Sequence, residues 1–455
     1  MPPRSKKSTK DPKKDPKKKQ PQSAPRGAST TNTSSTHHSE SRELINLSTT
    51  IPLTLQQLLL NVFKAALLPN GQNYLHQGTT PTITTTTNNN QSDAANNAEP
   101  HLDTKNLIQT IKAHLYNRDF DSAFTDASED LLRAYALRWS ASRALGYVGV
   151  FRGLMGGLLR TLKGVGEHGD AEREEEEATH VVCIGGGAGA EIVALAGAWR
   201  DLHSVEQSDQ DVAVSVSGVV SGVGRVTLED GGDGGDEEEG ASATTTTQEA
   251  DVAKRTHPRL DITAVDIADW SSVVSRLSTA IQSPAVMGTK SHPAPLYGGA
   301  INIDFQKVDV LTAEEKQLRE LLRREGTGRG TALVTLMFTL NELFSTSMAK
   351  ATGFLLRLTD LLSSGTVLLV VDSPGSYSTL KLGKSAEGEV RERQYPMKFL
   401  LDHTLLSVAE GKWERVLSQD SRWWRRDAAR LRYEVGEGAG LEDMRYQVHV
   451  YRRLE

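Results

Sequence analysis

The sequence predicts an α/β protein in which helices precede a doubly wound, mostly parallel sheet that ends in an antiparallel strand. Three observations predict it. Short apolar runs alternate with helix-length segments from residue 179 to residue 371, the pattern of a parallel sheet covered on both faces. One of those runs, Val181-Val182-Cys183-Ile184, breaks into Gly185-Gly186-Gly187-Ala188-Gly189-Ala190-Glu191 and at once begins a helix. The tail from Met444 to Arg452 alternates as Met444, Tyr446, Val448 and Val450, which suits an antiparallel edge strand. Right-handed crossovers make such a sheet Rossmann-like.

Residues 1–48 are rich in Lys, Pro, Ser and Thr and are expected to be disordered. Arg4, Lys6, Lys7, Lys10, Lys13, Lys14, Lys17, Lys18, Lys19 and Arg26 face only Asp11 and Asp15 there. Such a run suits a nuclear or nucleolar address, or an arm that binds phosphates while disordered. A small helical domain is expected over 49–165. Its first helix lies in Ile51 to Leu68, with Leu53, Leu55, Leu58, Leu59, Val62, Phe63 and Ala66 on one face. A polar loop fills 76–103. Two or three further helices follow, with Leu132, Ala136, Trp139, Leu145, Val148, Phe151, Leu154 and Leu158 recurring at three and four.

An acidic linker at 170–177 leads into a second unit, 178–455. Its strands are expected at 179–184, 260–265, 301–308, 331–337 and 366–371, and its helices at 190–201, 271–282, 313–324 and 342–362. A low-complexity insert at 203–257 interrupts it, and Val212 to Val226 alternates enough for a small hairpin.

Composition narrows the function. The chain has 455 residues, a net charge of −6 and 37% apolar residues, the deficit lying in the polar stretches. No apolar run approaches the roughly 18 residues of a membrane helix, and no secretory signal is expected. A single cysteine, Cys183, excludes internal disulfides and points to a reducing compartment. The histidines show no metal-ligand spacing, so no metal site is expected. Nothing in the sequence sets the oligomeric state.

In doubly wound sheets ligands lie beyond the carboxyl ends of the strands. Gly185, Gly187 and Gly189 follow the first strand, where glycines let the backbone approach a ligand and free amides open a helix. That geometry suits an adenosine cofactor, and it fits a dinucleotide as well as S-adenosylmethionine. Asp266 follows the second strand, placed to accept two ribose hydroxyls, while Asp269 is expected to cap the next helix. Asp309 follows the third and suits the adenine amino group, left free by an expected capping box of Thr312 with Glu315. Glu342 follows the fourth, within Thr339-x-x-Glu342, which itself reads as a capping box. Asp372 ends the fifth, where a buried acid must be solvated, paired or used. Cys183 is expected to be an inert buried thiol. Trp413, Arg415, Arg422, Trp423, Trp424, Arg425, Arg426, Arg430, Arg432 and Tyr433 mix aromatic and guanidinium groups that suit either unpaired RNA bases or packing.

Several segments together resemble the fungal large-subunit (25S) rRNA uridine N(3)-methyltransferases. They are Tyr135-x-x-Arg138-Trp139-Ser140-x-Ser142-Arg143-Ala144-Leu145-Gly146-Tyr147, the glycine segment, Ala264-Val265-Asp266-Ile267-Ala268-Asp269-Trp270, Leu336-Met337-Phe338-Thr339-Leu340-Asn341-Glu342-Leu343 and Val371-Asp372-Ser373-Pro374-Gly375-Ser376-Tyr377. The resemblance runs from about Ile51 to Arg453. It implies a class I S-adenosylmethionine-dependent enzyme with ribosomal RNA or a pre-ribosomal particle as partner. Gly185, Gly187 and Gly189 carry over to the cofactor loop, Asp266 to the ribose and Asp309 to the adenine. Where many methyltransferases end the first strand with an acid, this chain has Cys183, so Glu191 becomes the candidate for the methionine end.

Methylating uridine at ring nitrogen 3 requires removing its weakly acidic proton. Asp372 and Glu342 are the candidate bases, and the target nucleotide must leave its stack. Two other readings compete: a nicotinamide-dependent oxidoreductase, and a non-catalytic RNA-binding assembly factor.

Overall fold

The computed structural model describes residues 46–47, 50–68, 102–165, 178–204, 259–322, 330–375, 377–384 and 390–455. The basic tail, the polar loop, the acidic linker and the long insert lie outside these residues, save a few at their margins. No helix among the described residues is long and apolar enough to cross a membrane.

Seven strands form one sheet in the order β3-β2-β1-β4-β5-β9-β8. They are β1 (Thr179–Ile184), β2 (Leu260–Asp266), β3 (Ile301–Lys307), β4 (Leu333–Met337), β5 (Val367–Asp372), β8 (Trp413–Trp424) and β9 (Met444–Arg453). The first five run parallel. β9 lies antiparallel to β5, as its alternation predicts, with Val371 opposite Val448. It is not the edge strand, however, because β8 pairs antiparallel on its outer side. β6 (Tyr377–Lys384) and β7 (Val390–Pro396) form a separate hairpin.

Period two in the strands divides the core into two layers. Val181 and Cys183 of β1 face one apolar cluster, Val182 and Ile184 the other. On the first face sit α1 (Leu53–Leu67), α2 (Thr104–Tyr116), α3 (Glu129–Tyr135), α4 (Ala141–Val165), α5 (190–204) and α6 (Ser271–Gln282). A π turn, Ala136–Ser140, joins α3 to α4. The N-terminal helices share one continuous cluster with the sheet rather than a core of their own. At Gly197 of α5 an added Cβ would lie 2.9 Å from Leu59 of α1, so α1 crosses α5 at its smallest residue.

The second face carries α7 (Glu315–Leu322), α8 (Leu340–Thr346), α9 (Met348–Leu361) and α10 (Met397–Asp402). The single helix expected over 342–362 is two. Ser347 is extended there, with φ −160° and ψ 107°, and its hydroxyl accepts the Lys350 N–H to cap α9.

Candidate active site

The strand order reverses between β1 and β4, so the crossovers leave in opposite directions and open a crevice at the carboxyl ends. The β1 tip is a glycine loop. Gly185 and Gly189 hold φ of 78° and 84°, a left-handed backbone that a side chain disfavours. The expectation of free amides needs correction at the glycines themselves: the Gly185 N–H donates to Val265 O (2.7 Å), the Gly189 N–H to Gly186 O (3.0 Å) and the Gly187 N–H to Asp266, so these residues supply turn geometry rather than open donors. A Cβ on Gly187 would lie 2.2 Å from the Trp270 ring.

Asp266 ties this loop to β2. Its Oδ2 accepts the Gly187 N–H and its Oδ1 the Ala268 N–H, each at 3.2 Å. Burial pushes this carboxyl up to about 6, against the pull of those amides and the Trp270 indole. Asp269 is not the cap expected of it: Trp270 holds the N-cap position, and Asp269, one residue earlier, accepts from both the N–H and the hydroxyl of Ser271. Glu191, in the first turn of α5, is 3% exposed. Its Oε1 has no hydrogen-bond partner among the described residues. Burial pushes its pKa up to about 8, with Asp266 adding to the rise and its own amide and Arg143 opposing it.

Across the crevice, the β4 tip holds Phe338 at φ 58°. A bulky residue in that region costs on the order of 1–3 kcal/mol, and such strain concentrates at working sites. Three contacts hold it. Its N–H donates to Val371 O at 2.7 Å. Its ring stacks on Tyr147 with centroids 6.3 Å apart. The Arg143 guanidinium lies 5.0 Å from its centroid. Arg143 also donates to the Tyr135 hydroxyl at 2.8 Å. Tyr135 in turn packs against Trp270, 5.7 Å between centroids. A belt of side chains from α3 and α4 thus joins the glycine loop to the β4 tip.

Glu342 stands in the first turn of α8, an exposed residue within reach of the Arg143, Asp372 and Asp266 charges. Desolvation pushes its carboxyl up to about 7; Arg143 pulls it down, and Asp372 and Asp266 push it further up. The expected capping box does not form. The Thr339 hydroxyl donates to Met337 O instead, so Thr339 holds the N-cap position without a side-chain cap bond. Asp372 lies behind this turn, 3% exposed. Its Oδ2 accepts the Asn341 N–H (3.0 Å) and its Oδ1 the Ser373 N–H (2.7 Å), so it anchors the start of α8. The Asn341 side-chain Oδ1 is buried without a partner among the described residues.

The expectation that leaves Asp309 free needs correction. The Thr312 hydroxyl donates to Asp309 Oδ2 (2.8 Å) and the Leu311 N–H to Oδ1 (3.0 Å), which closes a local turn. Gly185, Gly187, Gly189, Glu191 and Asp266 therefore converge at the β1 and β2 tips, with Glu342 opposite; Asp372 supports and Asp309 turns on itself. Cys183 is fully buried and its thiol pKa is pushed up by burial. Most of the C-terminal aromatic and guanidinium groups already have partners within the fold. Trp413 is buried and donates to Thr359 Oγ1, Arg415 pairs with Asp402, and Arg425 and Arg426 pair with Asp443. Trp423 stays 52% exposed, with Arg425 4.6 Å and Arg445 5.8 Å from its ring.

Two buried acceptors without donors, one guanidinium and a glycine turn suit a ligand that joins an amino-acid zwitterion to a nucleoside. Residues 85–452 match a family described as "Putative SAM-dependent methyltransferase". The chain belongs to this family. S-adenosylmethionine is the methyltransferase's cofactor, which sets aside the nicotinamide alternative. One relative, 25S rRNA (uridine(2843)-N(3))-methyltransferase of Saccharomyces cerevisiae, is 31% identical over 353 residues, 76% of each chain. Among solved structures, a SAM-dependent methyltransferase from Methanosarcina mazei is 10% identical over 61% of this chain and 94% of its own, with a TM-score of 0.29. The antibiotic-resistance methyltransferase Kmr is 14% identical over 61% of this chain and 89% of its own, with a TM-score of 0.29.

Arg143, Tyr135 and Asn341 join the site without a role of their own in the sequence motifs. The signal for Arg143 was present: a guanidinium one turn from Tyr147 inside an apolar helical stripe must find a partner or a task.

Proposed function

We propose that this methyltransferase acts on large-subunit ribosomal RNA, at ring nitrogen 3 of a uridine. The observation that carries the reading is the 31% identity across 76% of both chains with the yeast enzyme, whose name specifies that atom. The β4 tip supports it chemically, because nitrogen 3 must lose a proton and Glu342 is an acid poised near neutrality.

When bound, S-adenosylmethionine supplies a methyl group on a positively charged sulfur. The residues present fit it. Gly185, Gly187 and Gly189 cradle the nucleoside, and Asp266 faces the ribose with the lone pairs its own amides leave open. Glu191 and Asn341 take the ammonium group, which gives both orphaned oxygens a donor. Arg143 faces the carboxylate end. Asp309 is retained for the adenine only if its turn opens.

Glu342 takes the proton from nitrogen 3 and leaves the nucleophilic lone pair on that nitrogen. Asp372 is the positioning residue, since it fixes the turn on which Glu342 stands. Residues 49–165 serve the 178–455 unit by presenting Arg143. The basic tail at 1–48 acts as a nuclear or nucleolar address or as an arm on the RNA, and a pre-ribosomal particle is the partner it suits.

Mass spectrometry of rRNA nucleosides from cells lacking the protein tests this. A 3-methyluridine lost there, and not restored by Glu342→Gln, fits the proposal; an unchanged nucleoside profile removes it. An RNA-binding assembly role without catalysis predicts that Glu342→Gln restores growth and ribosome yield as fully as the native chain.

A further inference from the structure

Beyond β5 the hairpin β6–β7 packs against α8, the helix that carries Asn341 and Glu342. From β7 the chain passes straight into α10 and then a π turn, His403–Val408. Four flat groups line up along this stretch. The Arg393 guanidinium lies 5.1 Å from the Tyr395 ring centroid. The Tyr395 and Phe399 rings are 5.5 Å apart and 17° from parallel. Phe399 and His403 follow at 6.1 Å and 4°. Phe399 and His403 stand four apart across α10 and its π turn and so share one face, while Tyr395 joins them from the end of β7.

Both distances fall in the offset-stacked range, so each ring covers only part of the next. The column is open to water. Phe399 is 50% exposed, and Arg393 and His403 are exposed as well. Tyr377, opposite Pro396 in the hairpin, is 54% exposed beside it. A lone exposed ring is ordinary on a protein surface. Tyr395 rests on the second apolar cluster, but Phe399, His403 and Arg393 extend the column outward into solvent, where packing does not explain their alignment.

We propose that the Arg393–Tyr395–Phe399–His403 column is a stacking platform for unpaired RNA bases next to the nucleotide that enters the crevice. The proposal rests on the RNA reading above and adds where the flanking strand lies. A base taken out of its stack leaves neighbours without a stacking partner. Aromatic faces return that contact to any base, and a guanidinium adds attraction to both ring and phosphate. Parallel faces and a stacked cation favour nucleic acid over an apolar protein partner, which asks for a groove rather than a column.

The test uses the full chain and a fluorescein-labelled single-stranded RNA of mixed sequence, read by anisotropy, with the same sequence as a duplex for comparison. Phe399→Ala should weaken single-strand binding about 5- to 150-fold, the range for losing one base–aromatic stack. Duplex binding, S-adenosylmethionine affinity and melting temperature should hold, since half the ring lies outside the fold. Phe399→Trp should keep the affinity. His403→Ala is a second probe at the open end of the column and should weaken binding in the same direction.

Single-strand affinity unchanged within twofold in both alanine variants overturns the platform, as does a native chain that binds no single-stranded RNA. The readout is binding, so it separates from the reaction. Lost binding in the variants, with no methylation at nitrogen 3 in the native chain, removes the uridine assignment and leaves the platform. Intact methylation with unchanged binding removes the platform alone.

Discussion

The two sides of the crevice are built on different principles. The β1–β2 side is backbone: three glycines, a first helical turn and Asp266, all within or just after two strands. The β4–β5 side is side chains that arrive from far apart, with Arg143 and Tyr147 from α4 meeting Phe338, Asn341 and Glu342 at the β4 tip. Backbone geometry of the first kind holds a cofactor of fixed shape. Convergent charge of the second kind sets a proton equilibrium. The difference gives the nucleoside to the first side and proton transfer to the second, with Arg143 and Asn341 reaching from the second side to the cofactor's amino-acid end, and each prediction below strains that division.

The largest effect is expected at Glu342. Glu342→Gln should lower kcat about 10²- to 10⁴-fold, the usual range for losing a general base. Its affinity for S-adenosylmethionine, measured by calorimetry, should stay within a few-fold. The base must be ionised to work and its carboxyl sits at about 7. In the native enzyme kcat/KM should therefore rise as pH increases through about 7 and level off above. The variant should lose that limb. A variant with native kcat would break the division at once. Asp372→Asn supplies the contrast: a weaker anchor at the α8 start should cost about 1 kcal/mol of stability, with the pH limb still present.

These two sides were not equally legible in the sequence. β1, β4 and β5 are apolar runs bounded by turn signals, and the glycine loop follows its strand directly, so local pattern was enough. The break at Ser347 was hidden because α8 and α9 continue one apolar period across it. β8 was missed because its alternation slips twice, between Arg415 and Leu417 and between Gln419 and Arg422. The capping boxes at Thr312 and Thr339 matched in spacing, yet both hydroxyls found nearer oxygens. Arg143 lies far from Glu342 in sequence, and no local pattern joins them. Long-range convergence is what periodicity cannot report.

On the binding side, Glu191→Gln should weaken S-adenosylmethionine about 10- to 100-fold, the worth of a charge-assisted hydrogen bond. A second readout needs no cofactor. The Glu191 pKa is raised in the folded chain to about 8. Between the ordinary carboxylate range and about 8 the unfolded chain binds fewer protons than the folded one, so stability falls as pH rises through that window. The glutamine variant carries no such penalty. It should melt higher than the native chain at pH 8 and approach it at pH 5. Equal melting temperatures at both pH values would leave Glu191 without its buried, protonated state.

A purely backbone change should be milder. Gly189→Ala places a side chain at φ 84° with its Cβ 2.1 Å from a Leu277 methyl. The left-handed backbone costs about 1–2 kcal/mol, while the Leu277 terminus is free to turn away. A melting temperature lower by about 1–3 °C is expected, with weaker cofactor binding and an unaltered pH limb. A shifted limb would mean that the glycine side also tunes the base.

The smallest effect is the most telling about how the sides communicate. Arg143 belongs to α4, yet its charge draws down the carboxyls of both Glu191 and Glu342. Arg143→Gln removes that pull from each. The sign is the same for both acids: a lost neighbouring cation makes a carboxyl harder to ionise, so its pKa rises. The kcat/KM limb should move to higher pH by roughly one unit or less, and cofactor affinity should fall most where Glu191 stays protonated. Arg143→Lys should return much of the limb, because it restores the charge, but less of the affinity, because an ammonium lacks the planar fork. If the limb stays in place in Arg143→Gln while affinity drops, then α4 serves the binding side alone, and Glu342 is tuned only by burial and by its acidic neighbours.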